Sequence, residues 1–143
     1  MDITIESLAA ASGHYTGTGG GEESGPFTAV IDVRPMLGTL GVEIEYEAID
    51  PDGDRLHIER TVLTYDMMSG EQTLYVLCDE LHGMGQLHLT AANRYNNGAG
   101  RGGFELQIEI EVGDDHGLTY VWSWGSPESD LIERSRAVVR RHD

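Results

Sequence analysis

The sequence predicts an all-β protein: a single antiparallel up-and-down β-barrel of about eight to ten strands, one domain over residues 1–143, opened by a short N-terminal helix. Three observations carry this. Residues 40–48 (LGVEIEYEA) and 104–112 (FELQIEIEV) place an apolar residue at nearly every second position with carboxylates between, as in a strand wet on one face and buried on the other. Further strand-like pieces follow at short intervals, separated by turn chemistry such as Asp50-Pro51-Asp52-Gly53-Asp54 and Ser69-Gly70. No long helical period interrupts them, which argues against alternating strand–helix architecture. A sequential meander removes its sheet edges by closing on itself, and at this size its interior holds packed side chains or one small ligand. A two-sheet sandwich is the alternative.

Residues 4–12 form the helix, because Ile5, Leu8 and Ala9 share one face and Ser12-Gly13 stops it. Residues 14–19 make a first strand, followed by a glycine-rich loop through Gly25-Pro26. Residues 27–33 are a second strand, closed by Arg34-Pro35. Residues 40–49, 55–65, 72–79, 86–93, 103–112 and 118–124 continue the series, and residues 130–141 end it. The glycine-rich stretch 96–103 does not lie between a strand and a helix, as a phosphate cradle would require, and reads as a hairpin loop.

The formal charge of −16 comes from 25 acidic residues against 9 basic ones, all arginine. Such a field repels phosphate backbones and anionic lipid, so nucleic acid and membrane surfaces are excluded as expected partners. No run approaches the roughly 20 apolar residues of a membrane helix, and the first residues lack the pattern of an export signal. The expected location is the cytoplasm. The single cysteine, Cys78, lies in an apolar run and reads as a buried, inert thiol.

His57 and Glu59 stand two apart on a strand and share a face, which Thr61, Leu63 and Tyr65 continue. Such a pair suits general acid–base work, or a solvent-facing ion pair if that face is wet. Tyr120, Trp122 and Trp124 share one strand face, suited to core filling or to lining a pocket. Arg134, Arg136 and Arg140 fall on one face of the last strand by parity. An inward arginine there would pair with a ligand carboxylate, with Arg136 the first candidate and Arg134 the second. His88 should face water, and His82 and His116 sit in turns. No Cys/His cluster has metal-site spacing and no Gly-x-Ser-x-Gly elbow is present.

Gly13-His14-Tyr15-Thr16-Gly17-Thr18-Gly19, Leu56-His57-Ile58-Glu59 and the closing residues 134–141 resemble the first, His-x-Glu and last strands of calycin-type barrels, the lipocalin-like and fatty-acid-binding-like proteins. The resemblance is closest to nitrobindin-like small barrels. It implies an interior face for His57 and Glu59 and, in that group, a haem held by a histidine near the start of the closing strand. Arg134 stands at that place, and His142 is too near the terminus to take the role, so haem is only a minor alternative.

The expected function is therefore binding of a small apolar or amphipathic molecule in the cavity. Its wall would come from Tyr15, Phe27, Val42, Ile44, Tyr46, Phe104, Leu106, Ile108, Tyr120, Trp122 and Trp124, with His57, Glu59 and Arg136 orienting the ligand. No metal is expected. Two rivals are a cavity isomerase or cyclase using His57/Glu59, and a filled barrel acting through its surface as an interaction or homodimer module.

Overall fold

Alternation dictates the architecture. In the computed structural model, which describes residues 2–81 and 83–142, ten antiparallel strands close into one barrel. His82, expected in a turn, lies outside the described residues. The elements are α1 (Ile5–Ala10), β1 (Gly13–Gly20), β2 (Phe27–Met36), β3 (Gly41–Ile49), β4 (Arg55–Tyr65), β5 (Gln72–Cys78), β6 (Gly85–Ala91), β7 (Arg94–Asn96), β8 (Glu105–Val112), β9 (Gly117–Ser126) and β10 (Ser129–Arg141). Each strand pairs with its successor, and β1 closes on β10 with Gly17 opposite Val139. A β-carbon on Gly17 would run into the Val138 carbonyl, so that seam needs glycine. Among the described residues, no helix is long and apolar enough to cross a membrane.

The glutamate-free faces of the two clean strands line the interior: Val42, Ile44, Tyr46, Leu106, Ile108 and Ile110 are buried. On the outside, Glu43 and Glu45 meet Arg34 and Arg60 in half-exposed ion pairs, which contribute little to stability.

One end of the barrel is plugged. Thr4 caps α1: its hydroxyl accepts from the Ser7 N–H at 3.1 Å, while its own N–H donates to the Ser7 hydroxyl at 2.8 Å. Ile3, Ile5 and Leu8 are buried. The plug is tied by the Ile3 N–H to the Ala92 carbonyl (2.7 Å), the Ile5 N–H to the Gln72 side chain (2.8 Å) and the Tyr95 hydroxyl to the Ile3 carbonyl (2.9 Å).

Three boundaries differ from the sequence reading. Strand β2 runs through Arg34-Pro35 because its β1 partner begins at Gly13, opposite Val33. Pro35 therefore lies where that edge of β2 is free, and its missing N–H costs nothing. The three-residue β7 stands where the sequence suggests only loop, since so short a piece shows no alternation; Tyr95 is its inward anchor. Phe104, expected in the wall, precedes β8 and is 40% exposed, because the 3₁₀ turn Arg101–Gly103 leads into the strand only at Glu105.

Candidate functional site

Strand β4 sends His57, Glu59, Thr61 and Leu63 inward, and β9 sends in Tyr120 and Trp122. In the closed ring four strands separate β4 from β9 on either side, so these residues meet across the full width of the barrel. The Glu59 carboxylate lies at the meeting point, almost wholly buried. It accepts hydrogen bonds from the Thr61 hydroxyl (2.6 Å), the Trp122 indole N–H (2.9 Å), the Tyr120 hydroxyl and the His57 Nε2 (2.9 Å). An ionised carboxyl out of water is costly unless its lone pairs are taken, and here four donors take them. Among the described residues no buried side-chain nitrogen or oxygen lacks a partner.

His57 is bridged on both sides, since its Nδ1 lies 3.1 Å from Glu80 Oε1. With a carboxylate at each ring nitrogen both nitrogens must donate, which is the imidazolium form. Burial pulls its pKa down, but the hydrogen bonds and charges of Glu59 and Glu80 outweigh it and leave the pKa at about 9. Tyr46 packs edge-on against His57 and Tyr120, at centroid distances of 5.1 and 5.2 Å. Burial, then the Glu59 and Glu80 charges, raise the Tyr46 phenol pKa; burial and Glu59 raise that of Tyr120 well above its ordinary value.

Between this brace and α1 the interior is filled by side chains such as Ile31, Ile44, Leu63 and Leu74. On the other side of the brace a cavity of about 290 Å³ opens to solvent, walled by Phe27, Tyr46, Leu56, His57, Trp122 and Trp124, with Glu23, Glu80 and Arg134 among the residues around it. Two β-bulges shape it. Ala48 pairs with His57 and Ile49 with Arg55, so Leu56 is an extra residue and joins the wall, where plain alternation would put it on the face opposite His57. Glu133 pairs with Ser123 and Ser135 with Trp122, so Arg134 is extra on β10. Its guanidinium donates through Nε and Nη2 to the Trp124 carbonyl (3.2 Å each) and lies 5.5 Å from the Trp124 ring centre.

Tyr46, His57, Glu59, Tyr120 and Trp122 thus converge, with Trp124 beside the cavity. Other candidates fall elsewhere: Val42, Ile44, Leu106 and Ile108, expected in the cavity wall, belong to the packed core and do not line the cavity, and two more residues point away from it. Tyr15 is buried, but its hydroxyl donates to the Ala11 carbonyl (2.6 Å) at the plugged end. Arg136, the first candidate by parity, points outward and pairs with Glu133 at 2.7 Å, because the bulge reverses the parity of the strand and turns Arg134 inward instead. Sequence reasoning misses Glu80. Its signal is the hairpin register: Glu59 pairs with Cys78, and two more steps set Glu80 opposite His57.

His57, Cys78 and Asp79 offer atoms within 4.8 Å of one another. Both nitrogens of His57 are hydrogen-bonded to carboxylates, of Glu59 and Glu80, rather than directed at Cys78 and Asp79. For haem, iron would need an imidazole nitrogen; those of His57 are hydrogen-bonded to Glu59 and Glu80, and His142 is bound to Thr16 on the outer surface.

Fold and site together define a small closed antiparallel β-barrel with a plugged end and an open, aromatic-walled pocket. No family model and no curated protein matches the chain significantly. Among solved structures it is similar to Rv2717c from M. tuberculosis, with a TM-score of 0.65 and 17% identity over the whole of both chains. It is also similar to a de novo designed fluorescence-activating β-barrel, with a TM-score of 0.51 and 10% identity, covering 94% of this chain and 97% of that one. At such identities the likeness is one of fold.

Proposed function

We propose that this protein binds a small apolar or amphipathic molecule, planar enough to lie between Tyr46 and Trp124, in the pocket beyond the Glu59 brace. The observation that carries this is the division of the interior: packed side chains fill it up to the brace, and the aromatic wall beyond is open. Apolar walls with few polar groups are the usual make-up of ligand sites. The cavity, about 290 Å³, is at the lower edge of the roughly 300–1,000 Å³ typical of such sites, which suits a compact ligand better than a long acyl chain. The helix-then-meander order supports a calycin-type barrel as its kinship.

Proton transfer by His57/Glu59 has less support. A general base works best with a pKa near the operating pH, whereas His57 keeps its proton up to about 9 and the Glu59 oxygens are all engaged. The pair reads as the pocket's floor.

Trp122 and Trp124 are the protein's two tryptophans and both line the pocket. Titration with a panel of bicyclic aromatic compounds and short fatty acids should give saturable quenching of their fluorescence, reduced in Trp124→Ala. Emission indifferent to the whole panel would refute the proposal.

A further inference from the structure

The two carboxylates on His57 are not equivalent. Glu59 is buried and held by three other donors. Glu80 lies just beyond β5, its side chain is 51% exposed, and its only hydrogen-bond partner among the described residues is His57 Nδ1, at the longer distance of 3.1 Å. His57 itself is only 12% exposed. Arg134 repeats the pattern, 17% exposed, with the 73% exposed Glu23 3.9 Å from its Nη1. Two sheltered cations therefore face the pocket, each covered by a solvated carboxylate that can swing away.

Resting on the binding reading above, we propose that the pocket's ligand is an aromatic carboxylate and that Glu80 is its built-in competitor, leaving His57 Nδ1 when the ligand's carboxylate takes its place. Departure of Glu80 alone would strand a charged N–H in an apolar pocket, which is unfavourable. Exchange for another carboxylate conserves the charge-assisted hydrogen bond, returns Glu80 to water, and buries the ligand's ring against Phe27, Tyr46 and Trp124. A neutral isostere cannot complete the exchange. The overall charge of −16 opposes an incoming anion, but at physiological salt that field is screened over about 8 Å, so the nearby cations decide.

The apparent affinity for an anion is scaled by the fraction of time Glu80 is away from His57. Calorimetric titration of wild type and Glu80→Gln with 2-naphthoate, 2-naphthamide and 2-naphthylmethylammonium, at about pH 6 so that histidine is largely protonated, tests this. The acid should bind wild type most tightly, and Glu80→Gln should strengthen it by about tenfold while changing the amide by less than about twofold. Equal gains for acid and amide would make Glu80 a steric lid and overturn the proposal. So would preferential binding of the ammonium compound, weakened in Glu80→Gln. If the acid fails to bind while the amide binds, only the anion proposal falls; if none of the three binds either protein, the binding reading falls with it.

Discussion

The Trp122 indole on β9 donates to the Glu59 carboxylate on β4 at 2.9 Å, joining two strands on opposite sides of the barrel. Thr61, Tyr120 and His57 complete the carboxylate's shell, so this one side chain ties the walls together and marks where packed core gives way to pocket.

Removing that carboxylate orphans several buried donors at once. Glu59→Ala should cost about 3–5 kcal/mol, the usual penalty for breaking a buried charged network, and Glu59→Gln, which keeps the shape and one acceptor, distinctly less. Urea unfolding followed by tryptophan fluorescence measures both. A Glu59→Ala variant as stable as wild type would show that the brace holds nothing.

His57 makes stability depend on pH. Its folded pKa of about 9 is raised above the ordinary 6.5, so the folded state holds the proton more tightly. The stabilisation is fully present below about pH 6.5 and is lost as the pH rises through about 9, on the order of 3 kcal/mol across that window. Unfolding free energies from pH 6 to 10 should fall accordingly, and His57→Gln should remove most of the slope between roughly 6.5 and 9. A profile identical in the variant would contradict the doubly bridged histidine.

Cys78 should be unreactive in the folded protein. Burial raises its thiol to about 11, so little thiolate exists at pH 8. Reaction with a disulfide reagent at that pH should be slow in buffer and fast in urea; rapid labelling of the native chain would show the thiol to be accessible.

Much of the fold is legible in the sequence because parity is cheap to read where one face is wet. Strands β3 and β8 announce their inward residues, Tyr46 among them, whereas β4 shows only that His57 and Glu59 share a face; alternation leaves that face open between interior and solvent, and the resemblance to calycin-type barrels alone implies the interior. Legibility ends where a residue is inserted. The bulges at Leu56 and Arg134 shift the alternation by one, and no local composition marks them, which is why parity alone favours Arg136 over Arg134. Glu80 lies past the end of β5, where only the long-range pairing of β4 with β5 brings it to His57. Phe104 and the short β7 escape the pattern for a related reason: near a strand's end, pairing rather than alternation decides what is buried.

The plug depends on one buried hydroxyl. Tyr95→Phe would leave the Ile3 carbonyl without its 2.9 Å donor and should destabilise the protein by about 1 kcal/mol. Amide exchange should quicken most at Ile3 and Ile5, with β3 and β4 little changed. Uniform quickening across the barrel would mean that the plug does not open on its own.

The two indole N–H resonances test the account most directly, because one tryptophan belongs to the brace and both line the pocket. In a ¹⁵N NMR titration with an aromatic carboxylate, the Trp124 resonance should shift saturably while the Trp122 indole N–H stays slow to exchange with water, its bond to Glu59 intact. Two still resonances would mean that the pocket takes no such ligand, and a fast-exchanging Trp122 N–H would mean that its bond to Glu59 is not made.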